Sequence, residues 1–500
     1  MLKMREQFLN ARKFGVPLLG IDTPDQAATM KTLIAAVNGK SATPVLIWDI
    51  IRGLRAGNEA GQEEAKRLMP DEAASADLIN PTTMLSRATE LKDRTVLFML
   101  NAHRFFENEA VMQGIWNLRD PFKASGRMLI LLGPTLKLPV ELERDIIIFD
   151  EPLPTDDELA AIIKGVHDMA ALKAPTDKQS EQLVRAARGL ASFPAEQAVA
   201  LSLTKEGADV AQLWELKRKM VEQTRGLAMY NSGESFGDIG GIERVKQFGS
   251  RLFGGNEPPA AVIFVDEIEK SMGGAAGDTS GTSQDQLGVL LSAMQDNEWS
   301  GLIAVGPPGC AKSLYAKALG STHGVPTIKL DLGGMKGSLV GQSEAQVRAA
   351  VKIIKAVAGK SAYWVATCNS LNSLPPELRR RFNHGIWMFA LPSVEEREMI
   401  WTVCMARYRL RENPHEINHR PTDDRWTGAD IRNTCQIAYQ LRCPLLEAAS
   451  YITPVAKSDP ASIERLYKLA DGKFLDASRQ GLFWMDRAQS MEGGNRAITI

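Results

Sequence analysis

The run Gly306-Pro307-Pro308-Gly309-Cys310-Ala311-Lys312-Ser313 has the residue types needed to hold a phosphate. It follows the apolar segment Gly301-Leu302-Ile303-Ala304-Val305, a pattern that predicts a buried strand, a glycine-containing turn and a helix beginning near Lys312. Backbone N–H groups of such a turn and of the helix N-terminus cradle phosphates. Lys312 would reach the outer phosphates, and the Ser313 hydroxyl would ligate Mg²⁺. Ala311 stands where the P-loop pattern has glycine, and it is expected to keep an ordinary helical conformation while adding a methyl near the phosphate path. Cys310 lies inside the same turn, where a helix N-terminus favours a thiolate, so attack by thiol reagents is expected, with a buried, inert thiol as the alternative reading.

Two further strand ends carry chemistry. Ala261-Val262-Ile263-Phe264-Val265 runs into Asp266-Glu267, where Asp266 would hold the hydration shell of Mg²⁺ and Glu267 would orient and deprotonate an attacking water. Tyr363-Trp364-Val365-Ala366-Thr367-Cys368 ends at Asn369, a candidate hydrogen-bonding partner for a γ-phosphate or the lytic water. Arg379-Arg380-Arg381 then supplies guanidinium groups able to stabilise charge developing on a phosphoryl group. Taken singly, these read equally as solvated acids, turn chemistry and a basic turn; their weight comes from company with the phosphate loop.

The elements around them are those of an α/β chain. Short apolar runs such as Pro44–Trp48 and Thr95–Leu100 alternate with amphipathic stretches, as in buried parallel strands joined by helices. A helix-rich stretch follows from Thr155 to Tyr230, with Leu213 to Gln223 read as a connecting helix, and NSGESFGDIGG breaks the pattern at a domain boundary. The expected organisation is an α/β domain over 1–153, a helical lid or linker over 154–233, a phosphate-binding core over 234–392, and a helical lid and tail over 393–500. The small, polar segment Gly273 to Ser283 is expected to be a loop that helps recognise a partner.

An internal repeat sets Leu138-Pro139-Val140-Glu141-Leu142-Glu143-Arg144 beside Leu374-Pro375-Pro376-Glu377-Leu378-Arg379-Arg380. Each leads into an apolar strand, then Leu-Pro, then an acidic helix start, an order that argues for two related domains. The first lacks the chemistry: Pro17 to Ile21 leads to Asp22-Thr23-Pro24-Asp25 without a phosphate loop, and Leu97 to Leu100 ends in Asn101-Ala102-His103 without a carboxylate pair. It reads as a degenerate copy acting as scaffold, adaptor or substrate reader, with His103 a surface or core histidine.

Bulk composition bounds the partners. With 59 Lys+Arg against 60 Asp+Glu, no global field advertises DNA or an anionic membrane. Five cysteines without disulfide-framework spacing fit a reducing cytoplasm, and neither a signal peptide nor a membrane-spanning run is seen.

Together these motifs resemble the AAA clade of AAA+ ATPases. The matching elements are Asp238-Ile239-Gly240-Gly241, GPPGCAKS, VIFVDE, ATCN, PELRRRF and Gly428-Ala429-Asp430. The whole chain resembles the two-part AAA proteins of cyanobacteria and plastids. The resemblance implies a P-loop parallel sheet with a C-terminal helical lid, preceded by a degenerate AAA-like α/β domain. It implies ATP and Mg²⁺ as ligands, with nucleotide contacts from Asp238, Ile239, Gly240, the residues Gly306 to Ser313, Leu314 and Ala429. A homo-oligomeric, usually hexameric, ring is implied too, in which Arg380 and Arg381 complete a neighbour's site. The Gly337-Ser338-Leu339-Val340-Gly341 segment occupies the position of a pore loop, with Leu339 in place of the usual aromatic.

Motif order departs from that family. The acidic strand precedes the phosphate loop by about 40 residues, whereas the family places it after. A site depends on which strands are adjacent rather than on the order of connection, so a permuted site is feasible, and the sequence leaves sheet order open. The leading functional reading is an ATP-driven remodeller of a protein partner. A slow-hydrolysing nucleotide switch or assembly scaffold is the alternative, favoured by Ala311 and Leu339 and opposed by Asp266, Glu267, Asn369 and the arginines. A DNA-remodelling ATPase is the third, for which no added DNA-binding module is found.

Overall fold

The computed structural model describes residues 2–37, 43–230, 233–272, 282–335, 342–359, 361–371, 374–410 and 419–485. Of the expected loop from Gly273 to Ser283, residues 273–281 lie outside the described residues and the last two begin the helix Thr282–Asp296; the expected pore loop at 337–341 lies outside them as well. The chain divides into two compact units between Trp214 and Glu215.

In the first unit, strands β1 (Leu18–Asp22), β2 (Val45–Asp49), β3 (Gly53–Ala56), β4 (Val96–Met99), β5 (Met128–Gly133) and β6 (Ile147–Asp150) form one sheet in the order β3-β2-β4-β5-β1-β6. All neighbours are parallel except the β2–β3 hairpin. Because side chains alternate faces, the continuous apolar runs feed two cores at once. Leu97 and Met99 join the cluster with Leu18, Trp48 and Leu129, whereas Val96 and Phe98 join the one with Leu19, Ile47 and Ile130. Helices Asp156–Met169, Asp177–Ala187 and Ser192–Leu201 follow, the first two begun by Thr155/Glu158 and Thr176/Gln179 capping boxes. The short hairpin β7 (Leu203–Thr204) and β8 (Gly207–Ala208) precedes the helix Val210–Glu222.

The second unit contains β9 (Leu227–Tyr230), β10 (Ala261–Val265), β11 (Ser300–Val305), β12 (Thr327–Leu330), β13 (Ala362–Cys368), β14 (Ile386–Met388) and β15 (Leu475–Asp476), in the order β15-β14-β11-β13-β10-β12-β9. Only β9 is antiparallel to its neighbour. Helices pack on both faces, and their clusters again take alternate residues: Ile263 and Trp364 on one side, Phe264 and Val365 on the other. A helical group containing Val394–Arg407 and Gly428–Leu441 forms its own core around Trp401, Trp426 and Ile431. Among the described residues no helix is long and apolar enough to cross a membrane.

The two sheets have the same layout. Read from β6 to β3, the first runs β6-β1-β5-β4-β2-β3; read from β14 to β9, the second runs β14-β11-β13-β10-β12-β9. Each ends in an antiparallel strand. Among the strands that run parallel, the chain visits the first set in the order β1, β2, β4, β5, β6, but in the second it visits β10, the counterpart of β4, before β11, β12, β13 and β14. Moving the acidic strand forward in sequence has therefore changed the connections and left its place between β13 and β12 intact.

Candidate nucleotide site

Parallel register brings the chemistry to one edge. Val265 pairs with Ala366 and Val305 with Cys368, so Asp266, Gly306 and Asn369 all follow strands that end together. At its two glycines the turn after β11 is packed too closely for a side chain. A Cβ on Gly306 would lie 2.1 Å from the Phe389 carbonyl oxygen, and Gly309 has φ +84° with Thr427 Oγ1 2.6 Å from where its Cβ would stand. Helix Lys312–Thr322 starts where the sequence pattern places it.

Ala311 corrects an expectation. It has φ 62° and ψ 13°, the left-handed conformation that glycine adopts freely and not an ordinary helical one. For an L-residue this costs roughly 1–2 kcal/mol, so strain accompanies the added methyl.

Lys312 is 7% exposed, and its ammonium donates to the Gly306 and Pro307 carbonyls at 2.6 and 2.7 Å. Burial lowers its pKa. Ser313 Oγ donates to Asp266 Oδ1 at 2.8 Å, and Thr367 Oγ1 donates to the same oxygen at 2.7 Å while accepting the Glu267 N–H at 2.9 Å. Glu267 itself has φ 47°. Its carboxylate accepts from Asn369 Nδ2 at 3.3 Å and pairs with Lys270 Nζ at 2.6 Å. The Asn369 N–H donates to Glu269 Oε1 at 3.0 Å.

A cavity of about 310 Å³ opens beside these residues. Pro308, Gly309, Ala311, Lys312, Ser313 and Leu314 form one wall, and Asp266, Glu267, Thr367 and Asn369 the next. Asp238, Ile239 and Gly240 close it from the N-terminal side, where a Cβ on Gly240 would meet the Ile400 backbone nitrogen at 2.6 Å. The Asp238 carboxylate is held below its ordinary pKa by the Ser235 N–H. Helix Gly428–Leu441 supplies Ala429, whose N–H donates to the Gly309 carbonyl at 3.2 Å. Gly306 and Pro307 contribute their carbonyls to Lys312.

The Cys310 side chain is buried, within the core cluster that also holds Ile239 and Phe389, and burial pushes its pKa up to about 12. The expected reactive thiolate is therefore replaced by a buried thiol. Arg380 is exposed, and Arg381 donates to Gln295 Oε1. Both stand on the helix Pro376–Arg381, away from the cavity lining, which instead includes Arg407 and Arg432.

Sequence reasoning missed Thr367, Glu269, Arg407 and Arg432. Thr367 had a signal, being a hydroxyl within a strand buried at all seven positions. Arg407 and Arg432 sit on helices whose docking against the phosphate turn is not encoded locally. The donor set of one hydroxyl and one carboxylate oxygen fits Mg²⁺, a hard ion that keeps waters and phosphate ligands; among the described residues no cluster of three or more His, Cys, Asp or Glu forms a metal cage.

Comparison with known families matches residues 4–151 to the SpoVK-like AAA ATPase N-terminal domain and 157–224 to the SpoVK-like AAA ATPase second domain. Residues 302–362 match the ATPase family associated with various cellular activities. The chain belongs to the AAA ATPase family. Similar proteins include the uncharacterized AAA domain-containing protein ycf46 of Guillardia theta, 23% identical over 90% of this chain and 91% of the relative. The ycf46 protein of Pyropia yezoensis is also 23% identical, over 92% and 96%. The AAA match begins in β11 and stops at the first residue of β13. Thus it contains the phosphate turn and leaves out the acidic strand that this AAA ATPase carries upstream.

Proposed function

We propose that this AAA ATPase hydrolyses ATP with Mg²⁺ and uses the cycle, in a ring of identical chains, to remodel a protein partner. The observation that carries the reading is the Ser313–Asp266 hydrogen bond, which joins the phosphate-turn helix to the acidic strand despite their exchanged order. The apolar end of the cavity at Ile239, Ile400 and Val403 suits a base, and the Lys312 end suits phosphates.

In this reading Lys312 turns its ammonium from the loop carbonyls to the outer phosphates. Asp266 and Ser313 hold Mg²⁺, which neutralises charge on the phosphate oxygens when bound. Glu267 takes a proton from the attacking water, with Asn369 holding the carboxylate and the water in line. Water adds to the γ-phosphorus and the bond to the bridging oxygen breaks, giving ADP and phosphate. Arg381, with Arg380 second, serves a neighbouring chain; their placement off their own cavity supports this.

The N-terminal unit is proposed as scaffold or partner reader. At its corresponding sheet edge the polar groups bond one another: Asp22 Oδ1 accepts the Leu136 N–H at 2.7 Å, and the Thr29 hydroxyl joins Thr23 to Glu151 at 2.8 and 2.6 Å. His103 keeps a lowered pKa through burial. The switch reading draws support from the strain at Ala311.

The test is steady-state ATPase activity and ADP binding of Glu267→Gln and Lys312→Ala. Glu267→Gln should bind nucleotide and fall by about 10²-fold or more in turnover, whereas Lys312→Ala should lose binding. Parent-rate hydrolysis by Glu267→Gln would refute the assigned base.

A further inference from the structure

We propose that Glu269 is a positioning residue that holds Asn369 in register with Glu267, an inference resting on the hydrolytic reading of those two residues. Asn369 is gripped at two points by carboxylates two positions apart: its side-chain amide reaches Glu267 at 3.3 Å, and its backbone N–H reaches Glu269 at 3.0 Å. Glu267 lies at the strand-end turn in a left-handed conformation, and Glu269 lies on the helix Ile268–Met272 that follows. The turn thus points one carboxylate into the cavity and the other behind Asn369. Only Glu267 lines the cavity.

A second observation separates this from ordinary turn chemistry. Glu269 Oε2 is buried with no N–H or O–H group of the described residues bonded to it, so this carboxylate has only weak, sulfur-borne polar company on that side. The neighbouring Cys368 thiol also lies against this carboxylate, and its pKa is raised chiefly by burial and then by Glu269. The local fold therefore carries a desolvated oxygen in order to place the other one beneath Asn369. Without that acceptor the Asn369 N–H would be stranded at a strand end and the side chain would be free to leave Glu267.

The experiment is a double-mutant cycle in the full chain, measuring kcat by steady-state ATPase, ADP affinity by calorimetry and thermal midpoint. Glu269→Ala should lower kcat by about 10- to 100-fold with ADP affinity unchanged. Glu269→Gln, which keeps an acceptor oxygen, should restore kcat to within about threefold. In an Asn369→Ala background, Glu269→Ala should cause no further loss. Should Glu269→Ala not fold, Glu269→Asp withdraws the oxygen by one methylene and should lower kcat at a near-parental midpoint. Additive losses in the cycle, or a parallel loss of ADP affinity, would overturn the inference while leaving the site reading in place. Undiminished turnover by Asn369→Ala alone would overturn the hydrolytic reading itself, and this inference with it.

Discussion

The Thr367 hydroxyl bonds Asp266 Oδ1 at 2.7 Å and, through its acceptor side, holds the Glu267 N–H at 2.9 Å. One side chain on β13 therefore sets both acids at the end of the neighbouring β10. Thr367→Val should strand the Glu267 N–H and remove a donor to Asp266, costing about 1–3 kcal/mol of stability and reducing turnover. Thr367→Ser should retain both. Denaturant titration and ATPase assays on the pair decide it, and equal behaviour of Val and Ser variants would refute the role.

Ala311→Gly should relieve the left-handed strain, set against the greater backbone freedom of glycine in the unfolded chain. The two effects nearly offset, giving a stability change within about 1 kcal/mol. Removal of the methyl should tighten ADP binding. Calorimetry showing weaker binding would indicate that the methyl packs favourably against nucleotide.

Cys310 should resist thiol reagents in the native protein at pH 8 and react on unfolding. Its folded pKa, about 12, lies above the ordinary value of 9.0. The protonated thiol is therefore favoured by folding, and its contribution to stability is complete below pH 9 and is lost as pH rises from 9 to 12. Labelling of native protein at the rate of the unfolded chain would contradict the buried placement.

Arg381→Ala should bind ADP normally and hydrolyse ATP poorly, since an arginine supplied across an interface contributes about 10³- to 10⁵-fold. Mixing it with Lys312→Ala chains should recover part of the activity, because an intact phosphate turn can then face an intact arginine. ATPase rate against mixing ratio, with mixed oligomers verified by mass, provides the measurement. Verified mixtures without recovery would show that catalysis is completed within one chain.

Much of this arrangement was legible locally. The apolar runs ending in Asp266, Gly306 and Asn369 became β10, β11 and β13, because buried parallel strands leave a continuous hydrophobic trace. The repeat linking 138–144 to 374–380 precedes β6 and β14, which hold the same place in their sheets. What sequence left open was nonlocal. Whether β10 would lie beside β13 depends on packing of residues about 100 apart, and the left-handed backbone of Ala311 belongs to a turn whose glycines are crowded by Phe389 and Thr427. The state of Cys310 was open for a related reason: helix-end electrostatics is readable from spacing, but the burial of the side chain is not.

The displaced acidic strand also alters how this sheet can be assembled during synthesis. When β4 leaves the ribosome, its neighbour β2 has already been made; β10 emerges with neither of its neighbours, β12 and β13, in existence. Its apolar face and both hydrogen-bonding edges must remain unmatched until the phosphate turn and β12 have followed. Such delayed pairing raises the loop-closure cost before the first strand contact and leaves a nascent segment dependent on shielding from other chains.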